Sequence, residues 1–344
     1  MEMEIIMSEK RTENFRRNED LELLLTDVNN ILAESEEKIA VPDKQEYPVI
    51  FVMGPLRSGT TLMTQWIAST GEIAYPSNML SRFYQAPIIG AKIQRLLTDP
   101  KYNFRNEILD FTSTQNFQSN NGKTQGALSP NEFWYFWRRF IKFPDDIDYL
   151  PDDELLKNSD WNTMKKELIG IMNVFEKPFA LKGMICNYNI GFLNQIFDKA
   201  IFVYVKRNPY TNLESILKAR ERQSGDINTW YGFHIPEYKH LIKFSDPAKQ
   251  VAGQVYHLNQ AVQKGLNEVD ENRKMIVQYE DFCDNPEKYY GQLVEKLSSQ
   301  GCNINREYHG EAHFSITRTE TDAKLISCYD KYVAEYENQS FNIC

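Results

Sequence analysis

Basic charge is in short supply in this chain: 39 lysines and arginines stand against 48 aspartates and glutamates, a formal net charge of −9 over 344 residues. A protein whose main work is gripping nucleic acid needs a basic face to neutralise phosphates, so that class is excluded, while a local basic pocket is not. Paired cysteine spacing is missing as well. The five cysteines, Cys186, Cys283, Cys302, Cys328 and Cys344, are scattered and odd in number. That pattern speaks against a disulfide framework or a zinc site and for reduced thiols in a cytosol. Nor is there an apolar run approaching the ~20 residues that a membrane-crossing helix needs. The start, Met1-Glu-Met-Glu-Ile-Ile-Met, is acidic and lacks a basic segment ahead of a long apolar one, so no secretory signal is expected. These absences set the expectation of a cytoplasmic protein, long enough for one elaborated domain.

The most informative absence is a single lysine. Val49-Ile-Phe-Val-Met-Gly-Pro-Leu-Arg-Ser-Gly-Thr-Thr-Leu-Met63 reads as a strand buried on both faces, a glycine turn and a helix. Gly54 and Gly59 keep the spacing of a P-loop, in which missing side chains let backbone N–H groups turn toward one anion while the following helix adds the positive end of its dipole. A P-loop kinase or NTPase next shows Lys and then Ser or Thr, whereas this chain has Thr60 and Thr61. The basic group has moved inside the turn, to Arg57, beside Ser58. Arg57 and the hydroxyls of Thr60 and Thr61 are thereby candidates to hold the oxygens of a phosphate-borne group.

Gly-x-x-Arg-Ser-Gly-Thr-Thr over residues 54–61 resembles the 5′-phosphosulfate loop of sulfotransferases that use PAPS (3′-phosphoadenosine 5′-phosphosulfate). The likeness is closest to the tyrosylprotein and bacterial carbohydrate/lipid type, which carries Arg where cytosolic sulfotransferases carry Lys. A second stretch supports it. Ile201 to Val205 is another buried-strand run, Arg207 sits where it ends, and Pro209 opens a helix that carries Thr211 and Ser215. A guanidinium fork matches the geometry of a phosphate, and a hydroxyl fills a remaining acceptor. This pair resembles the 3′-phosphate site of the family. In sulfotransferases of this type a lysine at the tip of the strand corresponding to Phe179–Lys182 reaches the sulfuryl group. Lys182 at the end of an apolar run is equally readable as a snorkelling surface residue.

The general base is less clearly marked. Tyrosylprotein sulfotransferases use a glutamate near the segment that here holds Ser77 and Asn78, and neither of those side chains has a usable proton affinity. Asn78 is therefore expected to orient substrate. Two candidates replace the missing carboxylate. Glu132 lies in Ser129-Pro-Asn-Glu-Phe-Trp-Tyr-Phe-Trp-Arg-Arg-Phe140, where Pro130 suggests a helix start. One reading makes Phe133, Phe136, Trp137 and Phe140 core anchors and Glu132 a dipole complement. The other puts Glu132 at the pocket edge as base, with Trp134 or Tyr135 as an acceptor wall. His234, in the flap-like Trp230-Tyr-Gly-Phe-His-Ile-Pro236, titrates in the right range and is the second candidate, although a lone loop histidine is more often solvated.

The expected fold is a three-layer α/β/α domain with a central parallel sheet, the P-loop NTPase-like sulfotransferase fold, with ligand at the carboxyl ends of the strands. Residues 1–46 form an acidic helical arm and 47–344 the sulfotransferase domain. The expected reaction is in-line transfer of a sulfuryl group from PAPS to a hydroxyl or amine of a small molecule, lipid or glycan, releasing adenosine 3′,5′-bisphosphate (PAP) without a metal. The backbone N–H groups of residues 58–61 serve as an anion hole, and Arg318, Lys324 or Lys331 covers the nucleotide. The competing classes are a P-loop nucleotide kinase, which needs the missing lysine and a magnesium carboxylate, and a sulfotransferase-like binder that has lost its base.

Overall fold

The first strand decides the architecture. In β1 (Val49–Met53) every residue is buried, with Val49, Phe51 and Met53 joining one core cluster and Ile50 and Val52 another. A continuous apolar run is what a parallel strand covered on both faces requires. The computed structural model describes residues 11–341 apart from 17, 104, 106, 109, 110, 112–116, 118, 120–122 and 317–321. The first ten residues of the acidic arm, most of the polar 116–122 stretch and Arg318 lie outside the described residues.

β1 pairs in parallel with β2 (Phe179–Lys182) on one side and with β3 (Ala200–Lys206) on the other, and β3 pairs with β4 (Lys274–Gln278), giving the sheet order β2-β1-β3-β4. The Phe51 face packs against the aromatic helix Trp134–Phe140 and the helix Trp161–Phe175, through Phe136, Trp137, Leu168 and Ile171. The opposite face packs against the loop helix Thr60–Ser69 and the helix Pro286–Ser299, through Met63, Trp66, Ile67 and Leu293. Three layers result, as the strand pattern predicts. Truncating Phe51 to alanine removes a fully buried ring between both neighbouring strands and costs about 3–5 kcal/mol.

Because the strands are parallel, their carboxyl ends fall side by side on one edge of the sheet. β1 runs into the Gly54 turn, β2 ends on Lys182, Arg207 follows β3 and Tyr279 follows β4. After β3, Asn208 accepts the N–H groups of Tyr210 and Thr211 and Pro209 occupies the first turn, so the helix Pro209–Ser224 starts at once.

One element differs from the sequence expectation. The helix after Pro130 begins only at Trp134, because Pro130 bridges to Ser77 and Phe133 adopts a left-handed backbone with φ 56°. β4 stops at Gln278, and the chain turns at once into the helix Tyr279–Asp284. The polar C-terminal region contains the helix Ala323–Phe341, whose Tyr332 is buried among Leu213, Val251 and Val255 of a third cluster. Lys324 and Lys331 of that helix lie along a groove with Asp246 and Lys249. The N-terminal helix Glu19–Glu37 is tied down: Asn29 bonds the Arg82 carbonyl, and Glu36 accepts the N–H groups of Ile88 and Ile89 at the start of the helix Pro87–Thr98. Among the described residues no helix is long and apolar enough to cross a membrane.

Candidate active site

The turn after β1 is held from behind by side-chain amides. Asn187 clamps Gly54 from both sides, accepting its N–H at 3.1 Å and donating to its carbonyl at 2.8 Å, while Asn212 donates to the Leu56 carbonyl at 2.8 Å. Neither glycine tolerates a side chain. A Cβ on Gly54 would sit 2.6 Å from the Val205 carbonyl, and one on Gly59, at φ 103°, would sit 2.2 Å from the Tyr279 ring. Gly59 is also the N-cap of the loop helix and supplies no side-chain cap, which leaves the first-turn N–H groups to an outside acceptor. Of the N–H groups at 58–61, that of Ser58 turns back to the Pro55 carbonyl at 3.2 Å.

Cations converge on this turn from three strands. Arg57, itself left-handed at φ 62°, points Nε at Ser215 Oγ, 3.3 Å away. Arg207 donates to the Arg57 carbonyl at 2.8 Å and lies over the Tyr279 ring at 5.0 Å. Tyr279 thus packs between Gly59 and Arg207, and burial pushes its phenol up to about 12. Lys182 reaches in from β2, donating to Thr61 Oγ1 at 2.7 Å and to Glu132 at 2.9 Å. The lysine side chain is 6% exposed and the glutamate 51%, so a buried cation presents a carboxylate that faces open space. Thr60 turns the other way, its hydroxyl 3.3 Å from the Met184 sulfur.

Above the turn lies an aromatic wall. Trp134 packs on Phe233 at 5.5 Å, and a Cβ on Gly232 would strike Leu56 at 2.0 Å, so the 230–236 flap rests on the turn. Tyr231 from this flap lies beside Arg57, and burial raises its phenol against the pull of that guanidinium. His234 is placed differently: its imidazole stacks on Tyr238 at 4.0 Å, and burial lowers its pKa against the opposing pull of Asp148 and Asp146.

Gly54, Arg57, Ser58, Gly59, Thr61, Lys182, Arg207, Ser215 and Glu132 are therefore brought together, with Thr60 at the same turn but facing Met184. His234 is engaged by Tyr238 instead. Phe133, Phe136, Trp137 and Phe140 are buried, and Glu132, ahead of the helix that begins at Trp134, meets Lys182. Tyr135 stacks on Tyr84 and bonds Glu22, whereas Trp134 packs on Phe233. Sequence reasoning missed Asn187, Tyr231 and Tyr279. Tyr279 alone had a legible signal, because it directly follows the fourth apolar strand, at the edge where the other three strands deliver site residues.

The sulfotransferase family profile matches residues 48–300, and the chain belongs to that family. Among solved structures the chain is similar to sulfotransferase STF9 from Mycobacterium avium, at 15% identity over 93% of this chain and 81% of that one, with a TM-score of 0.46. It is likewise similar to sulfotransferase STF1 from Mycobacterium tuberculosis H37Rv, at 17% identity over 82% and 73% of the two chains, with a TM-score of 0.48. A sulfotransferase from Alicyclobacillus acidocaldarius matches at 13% identity over 85% and 95%, with a TM-score of 0.40. No curated protein matches the chain.

Proposed function

We propose that this family member takes its sulfuryl group from PAPS and transfers it to a hydroxyl or amine of a small-molecule, lipid or glycan acceptor. The observation that carries the reading is Lys182, whose ammonium spans from the loop hydroxyl of Thr61 to the carboxylate of Glu132. One cation thereby joins the donor loop to a candidate base. Features at both ends of the site support that donor. The Gly54–Thr61 turn has glycines where a close anion requires them, and its helix start is uncapped. Among the described residues Ser58 Oγ and Arg207 Nε are buried without a protein partner, the state of groups whose remaining partner comes from outside.

When bound, PAPS supplies an activated sulfuryl group on a leaving bisphosphate. Arg207 and Ser215 hold the 3′-phosphate, while Ser58, Gly59, Thr60 and Thr61 line the 5′ end. Arg57 and Lys182 neutralise charge on the leaving and equatorial oxygens, positioning and electrostatics doing most of the work as in phosphoryl transfer. Glu132 takes the acceptor's proton. Trp134, Phe233, Tyr231 and Leu56 exclude water and shape the acceptor side. A binder without a base was suggested by Ser77 and Asn78, and Glu132 beside Lys182 supplies the carboxylate that reading lacks. Transfer of radiolabel from PAPS into a mixed extract of acceptors tests the proposal. Wild-type protein labels at least one acceptor, whereas absence of labelling across acceptor classes favours the binder.

A further inference from the structure

Glu132 belongs to no helix or strand, so its direction has to be set by its neighbours. Its flanks are fixed in opposite ways. On one side, the Asn131 N–H donates to the Pro76 carbonyl at 2.7 Å and Pro130 bridges to Ser77. On the other, Phe133 is left-handed at φ 56°, a costly conformation for a residue with a bulky side chain, held by a fully buried ring stacked 4.5 Å from Phe136. The Asn131 side chain straddles the glutamate: its Oδ1 accepts the Phe133 N–H at 2.9 Å and its Nδ2 donates to Asn78 Oδ1 at 2.8 Å.

Asn78 is the hub of this arrangement. Its Nδ2 donates to the Gly126 carbonyl at 2.9 Å and to Thr124 Oγ1 at 3.1 Å, and Thr124 in turn donates to the Pro130 carbonyl at 2.7 Å. The Asn78 N–H bonds the Ser129 carbonyl at 2.9 Å. One planar amide therefore ties the 76–78 turn to both ends of the 124–131 loop, using donor and acceptor at once. Among the described hydrogen bonds it touches neither Lys182 nor the Gly54–Thr61 turn.

We propose that Asn78 is a positioning residue that aims Glu132 at Lys182 and the acceptor, rather than a group that binds substrate. The proposal rests on the reading of Glu132 as the base. Aspartate at position 78 keeps the acceptor for Asn131 and loses both N–H donors, and alanine loses every side-chain bond. A misplacement of about 1 Å in a catalytic group can cost about 100-fold in rate. Asn78→Ala should thus lower kcat about 10- to 100-fold and Asn78→Asp about 10-fold, with PAP affinity unchanged within about twofold.

The deciding experiment is a double-mutant cycle with radiolabelled PAPS and an acceptor extract, with PAP binding as the check on folding. In a Glu132→Ala background, Asn78→Ala should reduce turnover by less than about twofold further, because the residue it aims is gone. An equal loss in both backgrounds, or weakened PAP binding by Asn78→Asp, overturns the positioning role. Should Asn78→Ala fail to fold, the nearly isosteric Asn78→Asp carries the same cycle. Full turnover by Glu132→Ala alone sinks the base reading itself, and is distinguishable because it appears before Asn78 is touched.

Discussion

The two halves of the site are held by different means. On the proposed donor side a contiguous turn is shaped by glycines at φ 138° and 103° and clamped through its backbone by Asn187 and Asn212. On the proposed acceptor side three segments far apart in sequence, around residues 76–78, 124–134 and 230–236, meet through side-chain amides and aromatic rings. Backbone-held geometry leaves few tolerated substitutions, whereas rings and amides can be exchanged without disturbing the turn beneath. The acceptor side is therefore where members of one family can diverge while keeping a common donor.

Substitutions can break or sharpen this contrast. The largest effect belongs to the cations where the halves meet: Arg57→Ala and Lys182→Met should each lower turnover about 1000-fold, the scale of losing a charged group aimed at developing charge, while circular dichroism stays native. Gly59→Ala comes next, because the new Cβ lies 2.2 Å from the Tyr279 ring and the backbone is left-handed. Calorimetry should show PAP binding at least 30-fold weaker, with the aromatic wall of the other half intact. Arg207→Ala should lose about 2 kcal/mol of PAP affinity, some 30-fold, and with it the preference for a 3′-phosphate. Trp134→Ala provides the converse, raising the acceptor KM about tenfold with PAP affinity unchanged. Equal damage to both affinities would show the halves to be one unit.

The smallest effect concerns the support behind the flap. His257 is buried, 2.8 Å from the Tyr332 hydroxyl and 3.5 Å from Glu237. Burial lowers its pKa below the usual 6.5, with Glu237 pulling the other way and His240 adding to the lowering. The unfolded chain takes up this proton first, so stability is level above about pH 6.5 and falls as the pH drops through that value. Denaturant titrations across pH 5–8 should show that slope flattened in His257→Gln.

Legibility followed the same division. The β1 turn and the Arg207–Ser215 stretch could be read because each is contiguous: an apolar run, a turn and a helix start specify their own geometry. Glu132 stayed ambiguous because its partner Lys182 is distant in sequence, and a string of aromatics reads equally as core. His234 looked like a candidate base on chemistry alone, but the stacking that engages it depends on Tyr238. Asn187 and Tyr231 carry no local mark of their contacts with Gly54 and Arg57, whereas Tyr279 is marked only by its place directly after β4. The C-terminal helix carries little signal of its own because its buried Tyr332 is set among charged residues and finds its partners only in the folded protein.

The central claim is that the Gly54–Thr61 turn and the Arg207–Ser215 clamp grip opposite ends of one doubly phosphorylated nucleotide. Calorimetric titration of the wild-type protein with PAP, adenosine 5′-monophosphate and ATP tests it most directly. The account predicts tight 1:1 binding of PAP, with both other nucleotides weaker by about 30-fold or more for want of a 3′-phosphate. Binding of either as tight as that of PAP would contradict it.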